Sequence, residues 1–296
     1  MRRLNRVAII GLGLMGGSLG LALRSRRLAR RVAGYARRPS VRRQALTIGA
    51  VDEVHADPRE AARDADLVVF CVPILTIPRL VADCAPALRA GCVVTDVGST
   101  KRLVIAAMER AVARRDVHVI GSHPIAGSET AGIGAARADL YRGMVVVVTP
   151  SPRTPTACLR MVKRFWKTLG ARVKVLAPGK HDRALAATSH GPHLVAAALA
   201  ESVLGRGDST LGAFCGTGFR DSTRIAAGSE TVWHDIAATN RESIGRELAR
   251  VEKRLRYLRR NLEGNNLAPV KRFLARARLL RAALDDSWRT TRRVSG

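Results

Sequence analysis

The stretch RVAIIGLGLMGGSLGLAL, residues 6–23, decides the fold of the first part of the chain. It opens with a short apolar run, turns through Gly11, Gly13 and Gly16, and continues with helical spacing. In a GxGxxG turn between strand and helix, the first glycine allows the tight turn, the second admits a pyrophosphate and the third lets helix and strand pack closely. We therefore predict a dinucleotide site at the N-terminus of this helix, where free N–H groups and the helix dipole favour anions.

Composition narrows the class of protein. The 296 residues are 47% hydrophobic, enough for a sizeable core in one large domain or two ordinary ones. The five cysteines are odd in number and form no CxxC pair, which predicts neither a zinc knuckle nor a disulfide framework and indicates a reducing, cytoplasmic setting. Because no stretch reaches the ~18 apolar residues needed to span a membrane, we expect no membrane association.

Apolar runs alternate with helical spacings up to about residue 177. The runs are continuous and β-branched, as is typical of buried parallel strands; one of them is VHVIGSHP, residues 117–124. This alternation predicts an α/β, Rossmann-type domain with a doubly wound parallel sheet. Beyond residue 178 the strand signals vanish. We therefore predict a dinucleotide-binding domain over residues 1–177 and an all-α substrate-binding and dimerisation domain over residues 178–296.

A long helix in the second part carries an apolar seam. Its members alternate in spacing between four and three residues: Ile244, Leu248, Val251, Leu255, Leu258 and Leu262. The spacing predicts one helix over residues 240–262 with its apolar residues on one face. We expect this face to form a homodimer. The alternative is that the last helix, residues 269–288, folds back and buries the seam within one chain.

The stretch GYARRPS, residues 34–40, bears on the choice of cofactor. An acidic residue about 20 positions beyond the last glycine of the turn would bind the ribose hydroxyls of NAD, but Ala36 stands there. Arg37, Arg38 and Ser40 follow, and guanidinium groups pair well with phosphate oxygens. We therefore predict that NADP is preferred, with NAD possible. In the alternative interpretation these arginines belong only to the basic surface.

Two further motifs fall at predicted strand ends. DVGSTK, residues 96–101, ends one strand, and GSHPIAGSE, residues 121–129, ends another. Doubly wound sheets bind ligands at the carboxyl ends of their strands. His123 is therefore placed to meet a nicotinamide ring, and Ser99 is placed to hydrogen-bond His123 and fix its tautomer.

These motifs, taken together and in order, resemble those of the prephenate/arogenate dehydrogenase family of tyrosine biosynthesis. The segments that carry the resemblance are GLGLMGGSLGLAL (11–23), DVGSTK, HPIAGSE (123–129), TSHGPH (188–193), GTGFRDSTRIA (216–226) and VWHDI (232–236). The resemblance covers nearly the whole chain. It implies a nucleotide domain followed by a helical domain that forms a dimer.

The resemblance also implies a reaction. A cyclohexadienol gives a hydride from C4 to the nicotinamide, a base takes the C4 hydroxyl proton, and the ring loses its carboxylate as carbon dioxide. A histidine suits that base because its pKa lies near neutrality. The implied catalytic residues are His123 and Ser99, and the implied substrate-binding residues are His193, Arg224, Arg220, Glu129 and Trp233. The residues do not distinguish prephenate from arogenate.

His190 and His193 form an HxxH pair, which invites a zinc hypothesis. Because the sequence offers no third ligand, we predict no metal. Two other functions stay open. One is a β-hydroxyacid- or imine-type NADP-dependent dehydrogenase, which shares the two-domain plan. The other is a non-enzymatic nucleotide-sensing or nucleic-acid-binding protein. The net charge of +27 supports it weakly, since the basic residues are spread along the chain and no nucleic-acid motif accompanies them.

Overall fold

The computed structural model of the chain describes residues 3–125, 131–207 and 210–293, with side chains as far as residue 284. It divides into two compact units, Met1–Ile244 and Gly245–Gly296, and the boundary falls within a helix. The strands are β1 (Leu4–Ile10), β2 (Ala29–Tyr35), β3 (Glu53–His55), β4 (Leu67–Phe70), β5 (Cys92–Asp96), β6 (Val117–Val119), β7 (Gly121–Pro124), β8 (Val145–Thr149) and β9 (Arg172–Val175). The helices are α1 (Leu14–Ser25), α2 (Pro39–Thr47), α3 (Pro58–Ala62), α4 (Ile77–Cys84), α5 (Arg102–Ala111), α6 (Thr156–Thr168), α7 (Pro178–Leu185), α8 (Gly191–Leu204), α9 (Thr217–Thr223), α10 (Glu230–Glu263) and α11 (Leu267–Arg293).

Six strands form one parallel sheet in the order β3-β2-β1-β4-β5-β6. β1 pairs with β2 on one side and with β4 on the other, so the strand order reverses beside β1. A doubly wound sheet binds its ligand in the crevice at this reversal, outside the carboxyl ends of the strands. The predicted Rossmann-type domain is confirmed, and the glycine turn after β1 lies at the reversal.

The prediction of one strand over residues 117–124 was wrong. β6 ends the parallel sheet, whereas β7 opens a second, three-stranded sheet in the order β7-β8-β9. β7 runs antiparallel to β8, and β8 runs parallel to β9. The change of sheet requires a close approach at Gly121, where a Cβ would lie 2.4 Å from Oγ1 of Thr149. The apolar pattern is the same in both sheets and carries no mark of this change.

Two large aromatic residues tie neighbouring elements together. Trp166 of α6 is fully buried and donates from Nε1 to Oγ of Ser122 in β7, at 2.9 Å. Tyr141, also fully buried, donates from its hydroxyl to the carbonyl of Met15 in α1, at 2.7 Å. A buried indole or phenol needs such a partner, so each aromatic residue fixes an element as well as filling space.

Beyond β9 the first unit is helical, but its helices are interrupted. A π-helical turn over Ala186–His190 separates α7 from α8. Pro192 lies in the first turn of α8, where its missing N–H costs no hydrogen bond. α10 contains a break at Asn240, which has φ −132° and ψ 24°. Both irregularities carry residues of the site.

The second unit is a pair of helices, the part of α10 after residue 244 and α11. Tyr257 and Phe273 pack across the pair with ring centroids 6.3 Å apart. Leu255 and Leu262 of the predicted seam are 59% and 56% exposed, so within this unit α11 leaves both more than half uncovered. Among the residues that the structure describes, no helix is both long and apolar enough to cross a membrane.

Candidate active site

The glycine turn after β1 has the geometry that a bound dinucleotide requires. Gly11 has φ +105°, a conformation that favours glycine, and a Cβ there would lie 2.5 Å from the carbonyl oxygen of Cys71. A Cβ on Gly16 would lie 1.9 Å from the carbonyl oxygen of Gly11, so α1 packs directly on the turn. Gly13, by contrast, faces open space, with nothing within 4 Å of a Cβ. Gly13 is also the N-cap of α1, and no side chain caps the helix, which leaves its first N–H groups for an anion.

The end of β2 presents arginines and no carboxylate. Ala36 is buried, whereas Arg37, Arg38 and Ser40 are exposed. Arg38 is the N-cap of α2, whose first turn holds no acidic residue. The guanidinium of Arg42 donates to the carbonyls of Ala36 and Arg37, at 2.9 and 2.8 Å, and so fixes the turn that carries the exposed residues.

A chain of hydrogen bonds joins three buried side chains behind His123. Nδ1 of His123 lies 2.9 Å from Nε2 of His181, and Nδ1 of His181 lies 2.8 Å from Oδ1 of Asp182. The two imidazole rings meet edge to face, with centroids 5.1 Å apart. All three residues are at least 93% buried. The chain starts in β7 and ends in α7.

Asp182 anchors this chain as a carboxylate. Its Oδ1 accepts from the backbone N–H of Lys101 and its Oδ2 from that of Arg102, both at 2.8 Å, at the N-terminus of α5. Burial alone would raise the pKa of Asp182, but hydrogen bonds from His181 and from the Arg102 and Lys101 amides outweigh it and lower the pKa. Asp182 is therefore ionised at neutral pH and acts only as an acceptor.

His123 is a neutral imidazole. Burial lowers its pKa well below the usual value, and His181, Lys101 and His190 lower it further. The Lys101 ammonium is itself fully buried; it pairs with Oδ2 of Asp96 and donates to the carbonyl of Ser122 at 2.9 Å. This ion pair balances the charge of Lys101 next to His123 and ties the end of β5 to β7.

Asn240, at the break in α10, orients His190. Its amide nitrogen donates to the backbone carbonyl of Asp182 at 2.8 Å, which identifies that atom as the NH₂ group. The same nitrogen lies 3.2 Å from Nδ1 of His190, so Nδ1 accepts and the proton of His190 is on Nε2. Burial lowers the pKa of His190 to about 4, which keeps it neutral as a hydrogen-bond donor.

His193 lies flat against Trp233. The ring centroids are 3.4 Å apart and the planes differ by 12°. Burial lowers the pKa of His193, and its Nδ1 is enclosed without a hydrogen-bond partner among the described residues. A Cβ on Gly228 would lie 2.5 Å from Nε1 of Trp233, so the 3₁₀ turn Arg224–Ala227 ends against the stacked pair.

The remaining predicted site residues are spread around this cluster. Ser99 is half-buried after β5, but no hydrogen bond joins it to His123 in the described part of the chain. His181 is the partner of His123 that the structure shows, and Ser99 as a partner of His123 stays a prediction. Arg220 and Arg224 are exposed on α9 and the turn after it. Glu129 lies outside the described residues.

Sequence reasoning missed His181, Asp182 and Asn240. An adjacent His–Asp pair at the start of a helix is a usable signal, since it places an imidazole beside a carboxylate. No comparable signal marks Asn240, whose role depends on a helix break. The sequence also predicted that no metal is bound. Among the described residues, no group of three His, Cys, Asp or Glu is arranged to hold a metal ion. That prediction stays a prediction.

Comparison with known proteins assigns the family. Residues 19–175 match the family model described as "Prephenate dehydrogenase, nucleotide-binding domain", and residues 177–276 match "Prephenate dehydrogenase, dimerization domain". The chain belongs to the prephenate dehydrogenase family. A cyclohexadienyl dehydrogenase of Zymomonas mobilis is 34% identical over 79% of this chain and 80% of its own length.

Two solved structures extend the likeness. A prephenate dehydrogenase of A. aeolicus, in complex with hydroxyphenyl propionate and NAD⁺, has a TM-score of 0.88 at 29% identity and covers 95% of this chain and 98% of its own. Synechocystis arogenate dehydrogenase has a TM-score of 0.81 at 27% identity, over 94% and 99%. Because both parts of the chain match this family, the β-hydroxyacid-type and non-enzymatic alternatives are not favoured.

The glycine turn generates a paired test. Gly16→Ala places a methyl group against backbone and should destabilise the protein by about 1–3 kcal/mol or more. Gly13→Ala places it in open space at an extended N-cap conformation (φ −86°), so the melting temperature should stay near that of the native protein. Its affinity for the nicotinamide cofactor should nevertheless fall, because the methyl group takes the space of the phosphates. Thermal unfolding and calorimetric titration measure the two effects, and native cofactor affinity in Gly13→Ala would contradict the assignment.

Proposed function

We propose that this protein oxidatively decarboxylates prephenate or arogenate, with hydride transfer to a nicotinamide cofactor, in tyrosine biosynthesis. The observation that carries the proposal is the placement of His123, a buried neutral imidazole beside the carboxyl edge of the sheet. Family membership of both parts of the chain supports the same reaction. A bound nicotinamide would supply the hydride acceptor for C4 of the cyclohexadienol ring.

The residues of the chain do the proton chemistry. His123 takes the C4 hydroxyl proton as the ring carbonyl develops, and its lowered pKa keeps it unprotonated at neutral pH. Loss of the ring carboxylate as carbon dioxide then makes the ring aromatic. Burial of His123 excludes water from the base and strengthens its interactions with the reacting hydroxyl.

The substrate is a dianion, and we assign its recognition to the helical side of the site. Arg224 binds a carboxylate with the fork geometry of a guanidinium, and Arg220 lies one helical turn before it. His193, stacked on Trp233, contacts the substrate beside the turn that carries Arg224. Glu129, from the segment after β7, completes the proposed substrate-binding set. Ser99, which follows β5, is proposed as a catalytic residue that acts with His123.

Replacing the base tests the reaction. His123→Asn keeps a side-chain N–H that can reach His181, so the fold and the KM values for substrate and cofactor should stay near native. Because the base is lost, kcat should fall about 10²–10⁴-fold. Native kcat/KM should decline on acidification only below pH 6.5, because the base acts unprotonated and its pKa is lowered from that value. Reduced-nicotinamide absorbance with prephenate and with arogenate gives the rates and the preferred substrate.

Two further variants complete that assay. His118→Asn changes a partly exposed histidine of β6 and should leave the rates unchanged. Arg224→Ala should raise KM roughly ten- to hundredfold with less effect on kcat, because a carboxylate is held alike in ground and transition states. Near-native turnover in His123→Asn would place the base elsewhere.

The proposed cofactor preference is for NADP⁺ over NAD⁺. It is supported by the buried Ala36 where an acid would repel a 2′-phosphate, and by exposed Arg37 and Arg38 at the start of α2. Ser40 adds a hydroxyl in the first turn of that helix. The structure of the A. aeolicus relative holds NAD⁺, so the preference rests on this chain's own residues.

Losing one charge-assisted phosphate contact costs about 1.5–3 kcal/mol, or roughly ten- to hundredfold in affinity. Arg37→Ala and Arg38→Ala should lower kcat/KM for NADP⁺ by this factor and leave that for NAD⁺ nearly unchanged. Arg114→Ala is the matched control, since Arg114 is exposed and follows α5 at the opposite edge of the sheet. Equal kcat/KM for the two cofactors in the native enzyme would refute the preference.

We further propose that the protein forms a homodimer. The dimerization-domain match and the exposed leucines of the second unit support the dimer. We also propose a domain boundary between residues 177 and 178 and a location in the cytoplasm, where a reducing environment suits five free cysteines. Light scattering should give twice the mass of one chain. Leu255→Glu combined with Leu262→Glu should give monomers, whereas Lys253→Glu, on the opposite face of α10, should not. A native monomer at micromolar concentration would exclude the dimer.

A further inference from the structure

The hydrogen bonds behind His123 allow its proton to be assigned atom by atom. The carboxylate of Asp182 can only accept, so Nδ1 of His181, 2.8 Å away, must carry the proton of that ring. Nε2 of neutral His181 then has a lone pair and accepts. The remaining partner, Nδ1 of His123 at 2.9 Å, must donate. In neutral His123 the lone pair is therefore on Nε2.

We propose that His181 and Asp182 are positioning residues that hold His123 in the Nδ1–H tautomer, so that Nε2 is its proton acceptor. The inference rests on the proposed role of His123 as the base and assigns two residues that act through it. The direction of these hydrogen bonds is set by the backbone, because the N–H groups of Lys101 and Arg102 fix the orientation of the Asp182 carboxylate.

The hydrogen bonds from His123 through His181 to Asp182 also stabilise the imidazolium that forms when His123 takes a proton. The charged and titratable groups around His123 are Asp182 and His181 of α7, Lys101 before α5, Asp96 of β5 and His190 of the π turn. Lys101 and Asp96 pair with each other, and His190 is neutral. Among these groups the carboxylate of Asp182 is therefore the negative charge that is not paired with Lys101. Two successive hydrogen bonds, through His181, connect it to His123. No proton needs to reach Asp182 for this support.

Tautomers differ in their ring ¹⁵N chemical shifts, so long-range ¹H–¹⁵N spectra of the full chain with labelled histidine test the proposal directly. The protein has seven histidines, and His123→Asn and His181→Gln each remove one signal and assign it. Both rings should be Nδ1–H tautomers at neutral pH. In Asp182→Asn the amide can turn either its oxygen or its NH₂ towards His181, so the Nε2–H tautomer of both rings should become detectable. An Nε2–H tautomer of His123 in the native protein would overturn the proposal.

Kinetics supply a second test that a purely structural role would not pass. His181→Gln retains an oxygen that can accept from Nδ1 of His123, whereas His181→Leu fills similar space and accepts nothing. We expect kcat to fall about 10²–10³-fold in His181→Leu and to stay within about tenfold of native in His181→Gln, with KM for the cofactor unchanged in both. His118→Gln is the control for the substitution itself. Equal losses in the two variants, or none, would overturn the proposal.

The two tests also separate this proposal from the function on which it rests. If His123→Asn turns over normally, His123 is not the base. His181 and Asp182 then have no base to position, and both proposals fail together. If His123→Asn is inactive but the native ring is an Nε2–H tautomer, His123 remains the base and the positioning role fails. If His181→Leu does not fold, the native and Asp182→Asn spectra still decide.

Discussion

The carboxylate of Asp182 is the constraint on which the site depends. It accepts from the first N–H groups of α5 and from His181, and its backbone carbonyl accepts from Asn240. One residue thereby joins the helix after β5, the helix after the second sheet and the first part of α10. A buried carboxylate is stable only when such donors surround it. Loss of a donor to the carboxylate would raise the energy of the charge, so α5 and α7 are held together by it. The Asn240 amide ties α10 to the backbone of the same residue.

The site is held neutral inside a strongly basic chain. The net charge is +27, yet the buried ammonium near His123 is paired with Asp96, and His123, His190 and His193 all have lowered pKa values. The physical cause is burial, which disfavours the charged form of each imidazole. A neutral imidazole has one donor nitrogen and one acceptor nitrogen. The hydrogen-bond partner in the fold determines which of the two nitrogens carries the proton. His123 and His190 are fixed in opposite senses, an acceptor Nε2 and a donor Nε2, which gives the site two different hydrogen-bonding groups from one residue type.

Local pattern was a good guide where one element suffices. The glycine turn between β1 and α1, the arginines after β2 and the position of His123 beside a strand end all follow from residues close together in sequence. The same logic failed at residues 117–124, where a continuous apolar run spans two sheets. Local pattern also gave no sign of His181, which lies 58 residues from His123 in sequence and meets it only in the folded chain.

The sequence by itself determined the Rossmann-type sheet, the dinucleotide turn, the family and the identity of the central histidine. These are properties of periodicity and of short motifs, which a chain carries in neighbouring residues. Only the tertiary structure decided the tautomer of that histidine, the helix break that lets Asn240 orient His190, and the exposure of Leu255 and Leu262. The tautomer of His123 and the orientation of His190 depend on groups that meet across 50 or more residues of chain. The exposure of the two leucines depends on how α11 packs against α10, which the residues of α10 alone do not set.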